Sequence, residues 1–268
     1  MQLRDETSGT SLRRCVEHIP ALALSVAFLL LQISACTMAQ EPMSADLTQM
    51  SIEELLDIEV TSVSKKAEKL SDTPAAVYVI TAEDIRRSGA TSIPEALRMA
   101  PGLHVARIDN NKWAIACRGF NDRYVNKLLV LMDGRSLYSP LFSGTYWDVQ
   151  DTMMEDIERI EVIRGPGATM WGANAVNGVI NIITKKASQT VSKLLVTGID
   201  DQGESATRFR FGDSVGEKGS FRVYAKTFGQ AASFDPGGQY VYDRDLLKPR
   251  DAFDQWEQVR GGFRMDMD

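Results

Sequence analysis

Residues 156–184 read DIERIEVIRGPGATMWGANAVNGVINIIT, and the rest of the chain is organised around this stretch. Residues 157–163 (IERIEVI) interleave apolar and charged side chains, the pattern of a half-buried strand. Gly165-Pro166-Gly167 stops the ladder, because proline has no N–H and glycine tolerates positive φ. Residues 168–175 have room for two helical turns, with Gly172 as the weak point. Residues 179–184 (VINIIT) are rich in β-branched side chains and predict a second strand. Within the first strand, Arg159, Glu161 and Ile163 share one face, and Glu158, Ile160, Val162 and Arg164 the other.

Working outward, residues 74–80 (PAAVYVI) predict a strand. Thr81 then caps a helix with Asp84 at its third position, and Gly89 ends it. Ser92 is the expected cap of a second helix over 93–99, with Pro94 in its first turn, where a missing N–H costs nothing. Strands are expected at 103–107, 113–118 and 128–132, with turns at 109–111 and 133–134. Residues 137–148 (LYSPLFSGTYWD) read as a long aromatic loop, and 151–156 as one helical turn. The result is a compact α+β domain over about 70–186, a mixed sheet with short helices, long enough to bury its own core.

After Lys185-Lys186 the character changes. Residues 193–199, 206–211 and 220–228 predict strands, and 261–266 another. Arg208 and Arg210 alternate with Phe209 and Phe211, and Arg222, Tyr224 and Lys226 with Phe221, Val223 and Ala225. One polar and one apolar face suits the wall of a membrane barrel.

The pieces just quoted, in this order, resemble the TonB-dependent outer-membrane receptors of Gram-negative bacteria. The resemblance is carried by residues 74–103 (PAAVYVITAEDIRRSGATSIPEALRMAPGL), the RGF triplet at 118–120, KLLVLMDGRSLY at 127–138 and ERIEVIRGPGATMWGANAVNGVINIITK at 158–185. It covers residues 58–187 closely and the remainder loosely. It implies a plug domain over 70–186, followed by antiparallel β-strands of an incomplete outer-membrane barrel over 187–268. The whole barrel in such transporters has about 22 strands. An open sheet leaves edge groups that lipid cannot satisfy, so these strands alone are not expected to form a pore.

The resemblance also implies partners and sites. TonB, with its inner-membrane energy-transducing complex, is expected to add a segment near the mature N-terminus to its own sheet edge. That box is placed at Ile58, Glu59, Val60, Thr61, Ser62, Val63 and Ser64, within a mobile segment over 40–69; the alternative is a first strand of the plug sheet. Arg118, Glu161 and Arg164 are expected at the plug–barrel interface or in holding the plug together. Arg107, Asn110, Asn111, Tyr138 and Tyr146, on two loops, are the candidates for the floor of an extracellular ligand pocket. The ligand class is a scarce solute such as a ferric siderophore, cobalamin or oligosaccharide.

Residues 1–39 read as a secretory signal. Arg13 and Arg14 precede an apolar run of 11 residues at 21–31, too short to span a bilayer. Cleavage is expected after Ala39; a second reading lipidates Cys36. Ser51 and Glu54 form a capping box for a short helix over 52–57.

Other chemistries find little support. The net charge of −6 gives no general reason for nucleic-acid binding. A processed chain keeps only Cys117 and His104, too few for a zinc site or a Cys–His nucleophile. Gly167 and Gly172 have the spacing of a phosphate loop, but Ala173-Asn174 stands where Lys-Ser/Thr is needed. No enzyme activity and no cofactor are expected. A soluble periplasmic binding module without transport activity is the alternative to a transporter; a signalling receptor would need a further domain before the box.

Overall fold

The structure is a computed structural model that describes residues 59–60, 68–69, 75–166, 168–199, 204–216, 218–231, 234–235, 250–251 and 254–267. All of them lie in the compact unit Asp46–Asp268. The expected signal segment, the processing sites at Ala39 and Cys36, the helix over 52–57, Ile58 and residues 61–64 fall outside the described residues.

Two short strands come first, β1 (Glu59–Val60) and β2 (Glu68–Lys69). They pair antiparallel, with Val60 opposite Glu68, and Val60 is buried.

The α+β domain follows. Its elements are β3 (Ala76–Thr81), α1 (Ala82–Ser88), α2 (Ile93–Leu97), β4 (Leu103–Arg107), β5 (Trp113–Cys117), β6 (Leu128–Met132), β7 (Arg135–Ser136), β8 (Tyr138–Ser139), β9 (Gly144–Thr145), β10 (Ile157–Arg164), α3 (Ala168–Trp171) and β11 (Gly178–Thr184). The main sheet has the order β3-β10-β11-β6-β7. It is mixed: β11 runs parallel to β6, and β10 is antiparallel to both of its neighbours. A parallel interior strand is covered on both faces, which explains the unbroken apolar run LLVLM of β6.

β10 departs from its expected half-burial. Ile160 and Val162 enter the main core with Ile80, Val130, Ile180 and Ile182. On the other face Ile163 packs with Leu129, Leu131, Ala175 and Val179, and Trp171 leans on this second cluster. The strand is therefore buried on both sides, and Glu161 with it. Alternation with charges does not mark a solvated face here, because the turn carrying α3 folds back over it.

Local signals succeed where the side chain and its partner are close in sequence. Thr81 Oγ1 accepts from Asp84 N at 3.2 Å, and Asp84 Oδ2 accepts from Thr81 N at 2.9 Å. Gly89 closes α1 at φ +69. Ser92 is a correction: its side chain makes no capping hydrogen bond. Instead Glu95 Oε2 accepts from Thr91 N and Thr91 Oγ1, both at 2.9 Å. α3 is shorter than expected, ending before Gly172, whose φ of +92 reverses the chain. Residues 137–148 are not simple loop; they hold the β8–β9 hairpin and open a 3-10 turn at Trp147–Val149. A second 3-10 turn, Met154–Asp156, leads into β10.

A third 3-10 turn, Ala187–Thr190, connects the domain to an antiparallel sheet called the wall below. Its strands are β12 (Lys193–Ile199), β13 (Glu204–Val215), β14 (Gly219–Gln230) and β17 (Trp256–Met267), in the order β12-β13-β14-β17. Between the last two lies a small pair, β15 (Phe234–Asp235) and β16 (Arg250–Asp251). β13, β14 and β17 are 12 residues each, longer than the runs at 206–211, 220–228 and 261–266. Cross-strand pairing extends them through Gly219 and Val215.

Two consequences can be measured. A Cβ on Gly178 would lie 2.5 Å from the Ile163 carbonyl oxygen, so Gly178→Ala lowers stability by about 1–3 kcal/mol, read as a urea midpoint by tryptophan fluorescence. Cys117 is buried in β5, and burial pushes its thiol pKa up, with Arg118 and Arg164 pulling it partly back. Maleimide therefore labels it slowly at neutral pH and rapidly in urea. Fast labelling of Cys117 in a folded chain with Cys15 and Cys36 replaced by serine would contradict this packing.

Candidate functional site

The wall has an inverted distribution of side chains. Directly paired residues share a face of a sheet. One face carries Leu195, Phe209, Val223, Val259 and Phe263, and all five are exposed, Val259 at 83% and Phe263 at 65%. The opposite face carries Arg208, Arg210, Arg222, Lys226, Arg260 and Arg264. Of these, Arg210, Arg222 and Lys226 are 5%, 4% and 3% exposed. The charged face is thus the buried one, turned against the α+β domain.

The domain answers with acids and carbonyls. The segment 151–156 supplies three carboxylates, positioned by the 3-10 turn before β10. Asp151 pairs with Lys226 at 2.7 Å. Glu155 lies 3.5 Å from Arg208. Asp156 is fully buried, receives Arg210 Nη1 and lies 3.4 Å from Arg222 Nε. Backbone oxygens complete the contact: Arg260 donates to Val149 O at 2.6 Å and Asp151 O at 3.0 Å, and Arg222 to Lys185 O at 2.6 Å.

Thr184, at the end of β11, is a junction. Its Oγ1 accepts from Arg222 at 3.1 Å and Arg264 at 2.8 Å, and donates to Asp133 Oδ2 at 2.8 Å. Asp133 also receives Thr184 N at 2.8 Å. On the wall side, Arg264 holds Asp266 at 2.9 Å, and Asp266 Oδ2 accepts from Ala187 N.

Arg118, Glu161 and Arg164, expected at the interface or in holding the plug together, make their described contacts within the domain. Arg118 is exposed at φ +59, and its Nη2 approaches Arg164 O at 3.5 Å. Arg164 donates to Pro101 O at 3.2 Å. Glu161 is fully buried on β10 and receives Arg159 Nε at 2.8 Å. Sequence reasoning missed Asp133, Asp151, Glu155, Asp156 and Thr184. The alternation of Arg208, Arg210, Arg222 and Lys226 was visible, but nothing in it named their partners.

The five ligand candidates fall into two groups. Arg107 grips its own loop, donating to Asp109 O at 3.3 Å and Asn110 O at 3.0 Å, and lies 5.5 Å from the Trp113 ring. Asp109 Oδ1 accepts from Asn111 N and Lys112 N. Asn110 Nδ2 reaches across to Ala231 O, just past β14, at 2.9 Å. Arg107, Asn110 and Asn111 line a cavity of about 60 Å³ with Trp113, Lys226 and Trp256. Tyr138 and Tyr146 lie outside that lining. Tyr138 pairs with Thr145 in the β8–β9 hairpin. Tyr146 joins Phe142 at 4.7 Å and Tyr124 at 6.1 Å. Arg123 lies over both tyrosines and pairs with buried Asp148 at 2.6 Å.

Among the described residues no group of three or more His, Cys, Asp or Glu could hold a metal ion. No described helix is long and apolar enough to cross a membrane, which does not bear on strands.

The chain is similar to known proteins. The family model described as TonB-dependent Receptor Plug Domain matches residues 69–179. The vitamin B12 transporter BtuB of Vibrio cholerae serotype O1 is 30% identical over 164 residues, covering 61% of this chain and 26% of that protein. The iron-regulated outer membrane virulence protein of the same organism is 33% identical over 165 residues, covering 59% and 23%. The chain therefore spans about a quarter of the length of the curated relatives it matches. Among solved structures, the ferripyoverdine receptor of the outer membrane of Pseudomonas aeruginosa has a TM-score of 0.51 at 19% identity, over 65% of this chain and 23% of that one. The ferric yersiniabactin uptake receptor FyuA from Yersinia pestis has a TM-score of 0.52 at 20% identity, over 71% and 28%. At these identities the structures establish a shared fold.

Removing one partner of a buried ion pair strands the other charge, at about 3–5 kcal/mol. Asp156→Ala is therefore expected to cost that much in a urea titration, whereas Glu155→Ala, at a looser and partly exposed pair, costs under about 1 kcal/mol. Equal losses would show that burial does not set the worth of these contacts.

Proposed function

Residues 69–179 are a TonB-dependent receptor plug domain, and from that premise we propose that this chain is the N-terminal part of an outer-membrane transporter of a Gram-negative bacterium. It takes up a scarce ligand at the expense of inner-membrane energy relayed by TonB. The ligand class is that of a ferric siderophore, cobalamin or oligosaccharide; of the curated relatives, BtuB is named for vitamin B12 and the virulence protein for its regulation by iron.

The observation that carries this reading is the inverted wall. A soluble sheet turns its apolar face inward, yet here the cations are buried and Val259 and Phe263 stand exposed. Lipid is the surrounding that makes this arrangement stable, with the apolar face toward the acyl chains and the polar face toward a plugged lumen. Strands of 12 residues are long enough, since a tilted strand crosses the hydrocarbon core in about 9–11. The alternative, a soluble periplasmic module, would hold that apolar face in water.

In this reading the plug rests against the wall through Asp151, Glu155 and Asp156. Arg118, Glu161 and Arg164 hold the plug together or serve its contact with other barrel strands. Arg107, Asn110, Asn111, Tyr138 and Tyr146 belong to loops that form the floor of the ligand pocket. TonB takes residues 58–64 as an added strand, gaining affinity from main-chain hydrogen bonds. That exchange starts from a segment already in strand geometry, since Glu59 and Val60 pair with Lys69 and Glu68.

The test is capture by the periplasmic domain of TonB. The complete receptor binds it, and Val60→Pro weakens binding by about tenfold or more, because proline removes a ladder donor. Unchanged capture would sink the box assignment. Fractionation tests the wider reading: the receptor is expected in the outer-membrane pellet, and recovery of this chain as soluble periplasmic protein would favour the module instead.

A further inference from the structure

The inward face of the wall carries more cationic donors than the plug satisfies. Arg208, Lys226 and Arg260 are directly opposite one another on neighbouring strands, and so are Arg222 and Arg264. Like charges in direct register destabilise a sheet. Each of these rows is stable only while anions or carbonyl oxygens lie against it, and in the resting structure the plug provides them.

The supply is incomplete. The Nε atoms of Arg208, Arg210 and Arg222 are buried without a hydrogen-bond acceptor, and so is Asp156 Oδ2 without a donor. Arg222 Nε and Asp156 Oδ2 face each other at 3.4 Å, close enough for charge and too far for a good hydrogen bond. A guanidinium presents a planar fork of donors that matches a carboxylate in two-point contact. Asp156 uses only part of that capacity: Arg210 Nη2 turns to Ser192 Oγ at 2.9 Å, and Arg222 gives its Nη atoms to Lys185 O and Thr184 Oγ1.

We propose that Arg210 and Arg222, with Arg264 beside them, form a carboxylate-binding site on the barrel wall. Asp156 fills it in the resting state. An acidic group of the ligand fills it once the plug is displaced. The inference rests on the transporter reading and adds to it that the transported ligand bears carboxylate. The resting plug is then a stand-in for its own cargo at this point of the wall, and the exchange of one carboxylate for another avoids baring two buried guanidinium groups at once.

The complete receptor in a planar bilayer, its plug loosened with urea, reports the ion preference of the bared wall under a KCl gradient. Rings of arginine and lysine favour anions in pores, so the open state prefers chloride, and Arg210→Gln/Arg222→Gln lowers the chloride-to-potassium permeability ratio by about twofold or more. Citrate blocks the wild-type current and spares the variant. Equal permeability ratios with no citrate block overturn the proposal and leave the transporter reading standing. Absence of any conductance from the complete receptor overturns both.

A second measurement guards against misfolding of the double variant. In the 268-residue chain, Asp156→Ala empties the site while leaving its arginines. Acetate restores the melting temperature of this variant in a saturable way, chloride at the same ionic strength does not, and Arg210→Gln/Asp156→Ala gains nothing from acetate. An equal response to acetate and chloride would reduce the effect to ionic strength and overturn the site.

Discussion

The carboxylate of Asp156 lies between two buried guanidinium groups, Arg210 and Arg222, in a gap closed to solvent. Much of the architecture follows from that placement. Guanidinium groups do not lose their charge in proteins, so a buried one must meet an acceptor. On the inward face of the wall Arg208, Lys226 and Arg260 share one row and Arg222 and Arg264 another, and the acceptors that meet Arg208, Lys226 and Arg260 come from the domain. The domain must therefore stand against the wall, and it must present acids at the right height. The 3-10 turn at Met154–Asp156 sets that height, and β10 and β11 carry the load into the core.

The contact joins elements of unequal strength. β10 is clamped between β3 and β11 and covered on both faces, so the carboxylates just before it are held by a rigid strand. Thr184, where β11 ends, ties the same region to Arg222 and Arg264. By contrast β1 and β2 are two residues each. A pairing that short opens at little cost, whereas the wall contact involves buried charge whose separation is expensive. A pairing that opens easily and a contact that holds are thus built from the same chain by the number and burial of their contacts.

What could be read in advance depended on sequence distance. The Thr81–Asp84 box, the stop at Gly89 and the unbroken apolar run of β6 were legible because both partners of each interaction are local, or because burial on two faces leaves a simple composition. Ser92 misled because Thr91 and Glu95 offered a competing cap one residue away. β10 misled because its charged positions, Arg159 and Glu161, satisfy each other beneath a covering turn and not in water. Arg118 and Arg164 stood out in the motifs, yet their described hydrogen bonds run to backbone oxygens of the domain itself.

Sequence alone determined the class of the domain, the presence of a two-faced wall after residue 187 and the alternation of cations along it. These are properties of period and propensity, which act over a few residues. Only the tertiary structure decided which face of the wall is buried and which acids meet which cations. Alternation says that two faces differ, but not which one points inward. Pairs such as Asp156 with Arg210, 54 residues apart, are set by how the sheets stack, because electrostatic partners are chosen by distance in space and by the exclusion of water between them.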